Sequence, residues 1–151
     1  MARSQAAARG LPEMIILDTN VISELMQPVA ERAVVEWLDQ QAADSVWTTS
    51  ISVFEIRFGL TRLVSGARRR RLEKAFDRAI SEKLESRVLS FDIEAALSAA
   101  TIAAERQATG QTLDFRDLEI AGIVASRRAK IATRNVRHFA NLGIDVVNPW
   151  A

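Results

Sequence analysis

The sequence predicts an α/β domain built around a mainly parallel sheet of about five strands. Short apolar or β-branched segments alternate with longer segments whose apolar residues recur every three or four positions, a pattern typical of parallel β-α-β units. The chain has 151 residues, enough for one domain with a single core. The predicted strands are residues 14–17, 46–48, 87–90, 131–133 and 144–147.

The first predicted elements follow from one apolar run and one proline. Residues 14–17 (MIIL) are uninterruptedly apolar, which suits a parallel strand buried on both faces. Residues 20–26 predict a short helix that Pro28 stops. Residues 31–40 predict a second helix with its apolar residues on one face, and the strand at residues 46–48 follows it.

Two longer helices are predicted in the middle of the chain. Ser52 and Glu55 have the S-x-x-E spacing of a capping box, which predicts a helix from this point to about Leu63. Gly66 marks a break. Residues 68–84 then predict a long amphipathic helix, because their apolar residues are spaced by threes and fours.

The last third of the chain predicts helices with clear end signals. Asp92 is expected to cap an alanine-rich helix over residues 93–109, which Gly110 ends. Asp114 is expected to cap the next helix. A short helical turn at residues 136–140 separates the last two strands.

Composition excludes several kinds of protein. Hydrophobic residues make up 48% and charged residues 26%, as in ordinary globular proteins, and the net charge of +1 gives no general attraction to nucleic acid or membranes. The absence of cysteine excludes disulfides and thiolate chemistry, and it fits a cytoplasmic protein. The single histidine, His138, excludes a His-rich zinc site. No apolar run approaches the roughly 20 residues of a membrane span.

The first 13 residues differ from the rest of the chain. They contain arginines and several alanines but no apolar core of a secretory signal. We expect residues 1–13 to be a disordered leader or a cloning remnant, and residues 14–150 to form the domain.

Three acidic residues are expected at the carboxyl edge of the sheet, where open α/β folds bind ligands. Asp18 follows the first strand, Glu55 lies in the first predicted turn after the second strand, and Asp117 lies in the first turn of the helix before the fourth strand. Asn135 follows the fourth strand at the same edge. Each acid alone could simply cap a helix, so their joint placement is what favours a shared site.

Such a cluster favours a metal. Two carboxylates about 4 Å apart repel each other by about 4 kcal/mol at an effective dielectric of 20, so a group of three needs a cation or a proton. Hard oxygen ligands favour magnesium or manganese over zinc. A metal of this kind can activate water and stabilise the charge that develops on a phosphate during hydrolysis.

Six segments carry motifs that resemble one known family. In combination they resemble PIN-domain ribonucleases, specifically the toxin half of VapBC-type toxin–antitoxin pairs and its FitB-like branch. The resemblance covers residues 14–150 and implies a three-layer α/β/α PIN-like domain. The segments are ILDTNVISEL around Asp18, TTSISVFEIRFGLTRL around Glu55, RVLSFD, GQTLDFRDLEIA around Asp117, IATRNVRHF and VVNPW.

The resemblance implies a Mg²⁺- or Mn²⁺-dependent endoribonuclease toxin that cleaves RNA with metal-activated water. Asp18, Glu55 and Asp117 would bind the metal. Thr133 resembles the family's hydroxyl that positions water or the metal. Asn135 replaces a residue that is often acidic in the family, so it would supply an oxygen without a charge.

The resemblance also implies partners and a compartment. The toxin would be neutralised by a cognate antitoxin that binds operator DNA. It would form a homodimer and a larger assembly with the antitoxin. The expected location is a bacterial-type cytoplasm.

Several features allow more than one interpretation. The basic run Arg68 to Arg71 suits a solvated helix face, an RNA contact or an acidic partner. His138 is expected to be a surface or hydrogen-bonded residue rather than a general base. The aromatic residues on helix and strand faces are expected to be mainly core, although some could line a groove for a partner helix. They are Trp37, Trp47, Phe54 and Phe58.

Two other functions remain open alongside the nuclease. One is a PIN module that is catalytically weak and acts as a binding partner, which the amide of Asn135 keeps possible. The other is a signalling receiver domain, which also has acids at its strand edge. The sequence disfavours a receiver, because it lacks a lysine after the last strand.

Overall fold

The computed structural model describes residues 13–151, which contain a five-stranded sheet. The strands are β1 (Ile15–Leu17), β2 (Val46–Thr49), β3 (Val88–Leu89), β4 (Lys130–Ala132) and β5 (Asp145–Val147). All four neighbouring pairs are parallel, and the order across the sheet is β3-β2-β1-β4-β5. The predicted parallel sheet of five strands is confirmed.

Seven α-helices connect the strands in the described part of the chain. A 3₁₀ turn at Ala43–Ser45 and a π-helical turn at Ala79–Lys83 were not predicted. The π turn continues the fourth helix, so the predicted helix over residues 68–84 is correct in place but changes type at its end. The helices are α1 (Thr19–Leu25), α2 (Arg32–Asp39), α3 (Ser50–Thr61), α4 (Ala67–Arg78), α5 (Ile93–Ala108), α6 (Phe115–Ser126) and α7 (Val136–Phe139).

The helices form a layer on each face of the sheet. Side chains alternate along a strand, so Ile15 and Leu17 lie in one core while Ile16 lies in the other. The first core is completed by buried residues of α1 to α4, and the second by residues of α5 to α7. Because both faces are covered, β1 is apolar throughout, and the predicted three-layer α/β/α architecture is confirmed.

Aspartates begin three helices as predicted. Asp18 accepts a hydrogen bond from the Thr19 backbone N–H at 2.8 Å at the start of α1. Asp92 and Asp114 cap α5 and α6 in the same way, each at 2.9 Å. Such caps satisfy N–H groups that the helix leaves free.

The predicted capping box of α3 is wrong. Thr49, the last residue of β2, is the cap, and its hydroxyl accepts the Ser52 backbone N–H at 3.1 Å. The helix therefore begins at Ser50, and Glu55 lies in its second turn rather than its first. Because β2 runs directly into α3 without a loop, the helix begins earlier in the chain than the predicted capping box implied.

Helices α5 and α6 pack with their backbones close together. A β-carbon on Gly122 would lie 2.5 Å from the carbonyl oxygen of Ala95 and 2.6 Å from the β-carbon of Ala99. Only glycine allows this approach, which fixes the position of α6 and of the acid it carries.

The strand order places a ligand crevice between β1 and β4. From β1 the chain builds the sheet outwards through β2 and β3, and then returns to add β4 and β5 on the other side. Ligands of open α/β sheets bind at the carboxyl ends of the strands where the order reverses. The order also excludes the receiver interpretation, because receiver domains have the order 2-1-3-4-5.

The N-terminal segment is described only at its end. The predicted leader, residues 1–13, lies outside the described residues except for Glu13, whose carboxylate lies 3.1 Å from Nζ of Lys130. Within residues 13–151, no helix combines the length and the apolar character needed to cross a membrane.

Candidate active site

A polar cleft of about 490 Å³ opens at the carboxyl ends of β1 and β4. We call it the acidic cleft. It brings together four of the five predicted site residues, although they come from four separate parts of the chain. Its lining consists of Asp18, Thr19, Asn20, Ser23, Glu24, Gln27, Glu55, Asp117, Arg134, Asn135 and Trp150.

Asp18 is held by two donors at the base of this cleft. Its Oδ1 accepts the Thr19 backbone N–H, and its Oδ2 accepts the hydroxyl of Thr133 at 2.7 Å. Asp18 is only 5% exposed. Burial raises the pKa of Asp18 above its ordinary value, and the hydrogen bonds from Thr133 and Thr19 partly offset this rise.

Thr133, the fifth predicted residue, is fully buried behind Asp18. Its Oγ1 accepts the Asn135 backbone N–H at 3.0 Å and Nδ2 of Asn20 at 3.3 Å. A hydroxyl has two acceptor positions and one hydrogen, so this hydrogen is directed to Asp18. Thr133 therefore contacts the site through Asp18, and it favours the ionised form of that carboxyl group.

Glu55 reaches the cleft from α3. Its Oε1 lies 3.2 Å from the hydroxyl of Thr19, and its Oε2 lies 3.8 Å from Nη1 of Arg116. Burial raises the pKa of Glu55, and repulsion from Asp18 and Asp117 adds to the rise. The Thr19 hydrogen bond and the charge of Arg116 oppose it.

Asp117 reaches the cleft from the first turn of α6. Its Oδ2 lies 3.0 Å from Nδ1 of His138. Burial raises the pKa of Asp117, repulsion from Asp18 raises it further, and the charge of His138 lowers it. The prediction that His138 is a hydrogen-bonded surface residue is confirmed, but the sequence did not show that its partner is a site acid.

The chemistry of these side chains fits a hard divalent cation. All three acids have a raised pKa, and repulsion between acids contributes at Glu55 and Asp117, so a cation among them would relieve a cost that the fold imposes. No three acidic, histidine or cysteine side chains in the described residues are close enough to form a preformed cation site. Mg²⁺ commonly binds through one or two carboxylates and keeps several waters, which suits this more open arrangement.

Sequence reasoning missed two members of the site. Thr19 and Asn20 follow Asp18 directly, and they connect it to Glu55 and to Thr133. The consecutive polar residues of DTN between two apolar runs were the available signal. A local pattern could not show that their side chains reach α3 and β4.

Only part of the basic run Arg68 to Arg71 is exposed. Arg69 is used within the protein: its Nε lies 2.9 Å from a carboxylate oxygen of Glu73, and its Nη1 donates to the carbonyls of Thr61 and Leu63. Arg68, Arg70 and Arg71 are exposed on α4. The three interpretations of the run therefore apply to these exposed residues only.

Of the four aromatic residues expected to be mainly core, two are core and two are exposed. Trp37 and Trp47 pack against the two cores. Phe54 and Phe58 are 56% and 46% exposed, and their rings stack with centroids 5.9 Å apart. Arg116 lies over the Phe54 ring, so this pair is close to the acidic cleft.

The fold and the site together define an open-sheet α/β domain whose ligand cleft is lined by carboxylates. The PIN domain family pattern matches residues 15–144. The chain therefore belongs to the PIN domain family, among its VapC- and FitB-like members.

Similar proteins agree with this assignment over almost the whole chain. VapC ribonuclease Y4jK of Sinorhizobium fredii is 36% identical over 137 residues, covering 91% of this chain and 98% of that protein. Toxin FitB of Neisseria gonorrhoeae is 33% identical over 137 residues, covering 91% and 99%. The structure of FitAB bound to an IR36 DNA fragment matches with a TM-score of 0.82 at 33% identity, covering 91% of this chain and 96% of that chain.

Proposed function

We propose that this protein is a Mg²⁺- or Mn²⁺-dependent endoribonuclease that acts as the toxin of a toxin–antitoxin pair. The main support is the convergence of three carboxylates with raised pKa values in one cleft at the switch point of the sheet. The ribonuclease and toxin names of its relatives support the substrate class and the biological role.

Asp18, Glu55 and Asp117 would hold the metal, directly or through its bound waters. When bound, Mg²⁺ or Mn²⁺ lowers the pKa of a water and neutralises charge on phosphate oxygens. Thr133 favours the ionised form of Asp18 and fixes its orientation through the 2.7 Å hydrogen bond. Asn135 lines the cleft and offers an amide that can hydrogen-bond to a phosphate or a water.

A cleavage assay on total RNA tests this proposal. The unsubstituted protein is expected to cleave RNA with Mg²⁺ or Mn²⁺ and to be inactive in EDTA. Asp18→Asn and Asp117→Asn should lose cleavage while keeping the circular dichroism spectrum of the folded protein. Asp114→Asn is the matched control, because Asp114 caps the same helix as Asp117 but does not line the cleft. Full activity of a folded Asp18→Asn, Asp117→Asn double variant would exclude the metal site.

A catalytically weak binding module is the second candidate. The uncharged Asn135 and the open spacing of the acids favour it. The same assay separates the two functions, because a binding module would leave RNA intact at every metal concentration while still forming a complex with its antitoxin.

We further propose that the protein forms a homodimer and a larger cytoplasmic assembly with a cognate DNA-binding antitoxin. The similarity to FitAB bound to DNA supports this partnership. Sedimentation of the purified toxin should give the mass of a dimer. Coexpression with the antitoxin should abolish RNA cleavage, and continued cleavage in a stable complex would contradict neutralisation.

A further inference from the structure

The acidic cleft has one basic side chain, that of Arg134, on a lining that also carries four acidic ones. The acidic residues are Asp18, Glu24, Glu55 and Asp117. An RNA backbone that enters this cleft is repelled by each carboxylate that no cation neutralises. Among the residues of the lining, only Arg134 can attract the backbone by its own charge.

The backbone of Arg134 is held in the same network as Asp18. Its N–H donates to Oδ1 of Asn20 at 3.2 Å, and Nδ2 of Asn20 donates to Thr133. Thr133 in turn donates to Asp18. The base of the arginine side chain therefore has a fixed position relative to the carboxylate at the bottom of the cleft.

The guanidinium of Arg134 lies over the ring of Trp150, 4.9 Å from its centroid, and both residues line the cleft. Within residues 13–151 the guanidinium makes no ion pair, although four acids share its cleft. Arg116 differs, because it pairs with Glu55. Contact with an aromatic face orients a guanidinium without using its N–H donors, which then remain available for a phosphate.

We propose that Arg134 binds a phosphate of the RNA strand beside the scissile one, and that Trp150 positions its guanidinium. This inference rests on the proposed function for the identity of the ligand. It assigns the attraction of RNA to a residue separate from the acids, so binding and cleavage can be measured separately.

Binding is measured by fluorescence anisotropy with a labelled single-stranded oligoribonucleotide at several KCl concentrations. All proteins carry Asp117→Asn, which prevents cleavage during the titration. Arg134→Ala should weaken binding about tenfold, as for one lost charged contact. It should also make the slope of log affinity against log salt shallower by about 0.7, the value for one phosphate of a single strand.

Two further variants make the measurement specific. Arg137→Ala is the matched control, because Arg137 is an exposed arginine on α7 that does not line the cleft, and it should leave affinity and slope unchanged. Arg134→Lys should keep the slope and lose part of the affinity, since lysine retains the charge but lacks the planar, forked donor group.

Equal affinities and slopes for Arg134→Ala and Arg137→Ala would overturn the proposal. So would a lower melting temperature of Arg134→Ala with an unchanged slope, because the arginine would then only hold the C-terminal segment. Arg134-dependent binding in the titration, together with no RNA cleavage by the protein that keeps Asp117, would support the phosphate contact and reject the proposed nuclease function.

Discussion

Thr133→Val tests whether the buried hydroxyl maintains the charge of Asp18. The change keeps the volume of the side chain but removes the hydrogen donated to Asp18 Oδ2 at 2.7 Å. It also removes the acceptor of the Asn135 N–H and of the Asn20 amide. A hydrogen bond to a charged group contributes about 1.5–3 kcal/mol, and a buried donor left unpaired costs about 1–3 kcal/mol. We therefore expect unfolding free energy to fall by about 2–4 kcal/mol at neutral pH.

The loss should depend on pH in a defined direction. The pKa of Asp18 is raised in the folded protein above the ordinary value of 3.8, so folding is favoured by its protonated form and stability falls as pH rises through the folded pKa. Thr133 opposes that rise, so the valine variant should have a still higher folded pKa. Below about pH 4 the stability difference between variant and parent should be limited to the pH-independent cost of the unpaired Asn135 and Asn20 donors, and it should grow as pH rises.

Urea unfolding at a series of pH values measures this effect. Thr133→Ser is the control, because it keeps the hydroxyl and loses one methyl group, at a cost of about 0.8 kcal/mol with little pH dependence. The acid limb of RNA cleavage should also move to higher pH in the valine variant. A stability loss that is equal at all pH values, or greater at low pH, would refute the assigned role of the hydrogen bond.

Three other perturbations test separate features. Gly122→Ala should lower unfolding free energy by about 1–3 kcal/mol in urea, because a methyl group there meets Ala95 and Ala99, and an unchanged midpoint would contradict the close packing of α5 and α6. Thr49→Ala should cost about 1 kcal/mol while Thr49→Ser costs little, whereas equal losses would exclude the hydroxyl as the cap of α3. Mg²⁺ should raise the melting temperature more as pH increases, since the cation competes with protons for carboxylates of raised pKa, and a pH-independent shift would place the cation elsewhere.

The features predicted well from the sequence are those determined by neighbouring residues. The caps at Asp18, Asp92 and Asp114 depend on a side chain and an N–H only one to three positions apart. The strand at residues 14–17 is visible because a strand buried on both faces must be apolar throughout. The edge location of the acids then follows from the general geometry of parallel sheets.

The predictions that were wrong or missing concern features that local sequence patterns do not determine. Thr49 and Ser52 are both good capping residues, and the end of β2 decides between them. The helix that carries Phe54 and Phe58 has apolar residues around most of its circumference, so its pattern does not show which of them face outward. The contact between Asp117 and His138 joins residues 21 positions apart across the end of β4, which no sequence periodicity predicts.

The pairing of β1 with β4 continues into the site itself. The backbone N–H of Asp18 donates to the carbonyl of Ala132 at 2.9 Å, one residue before Thr133. A shift of one residue between these strands would turn Asp18 away from Thr133 and move Ile16 into the wrong core. Catalytic competence is therefore expected only when β1 and β4 have their native register. Helix content can recover before this register forms, so nuclease activity is expected to be the stricter measure of completed folding.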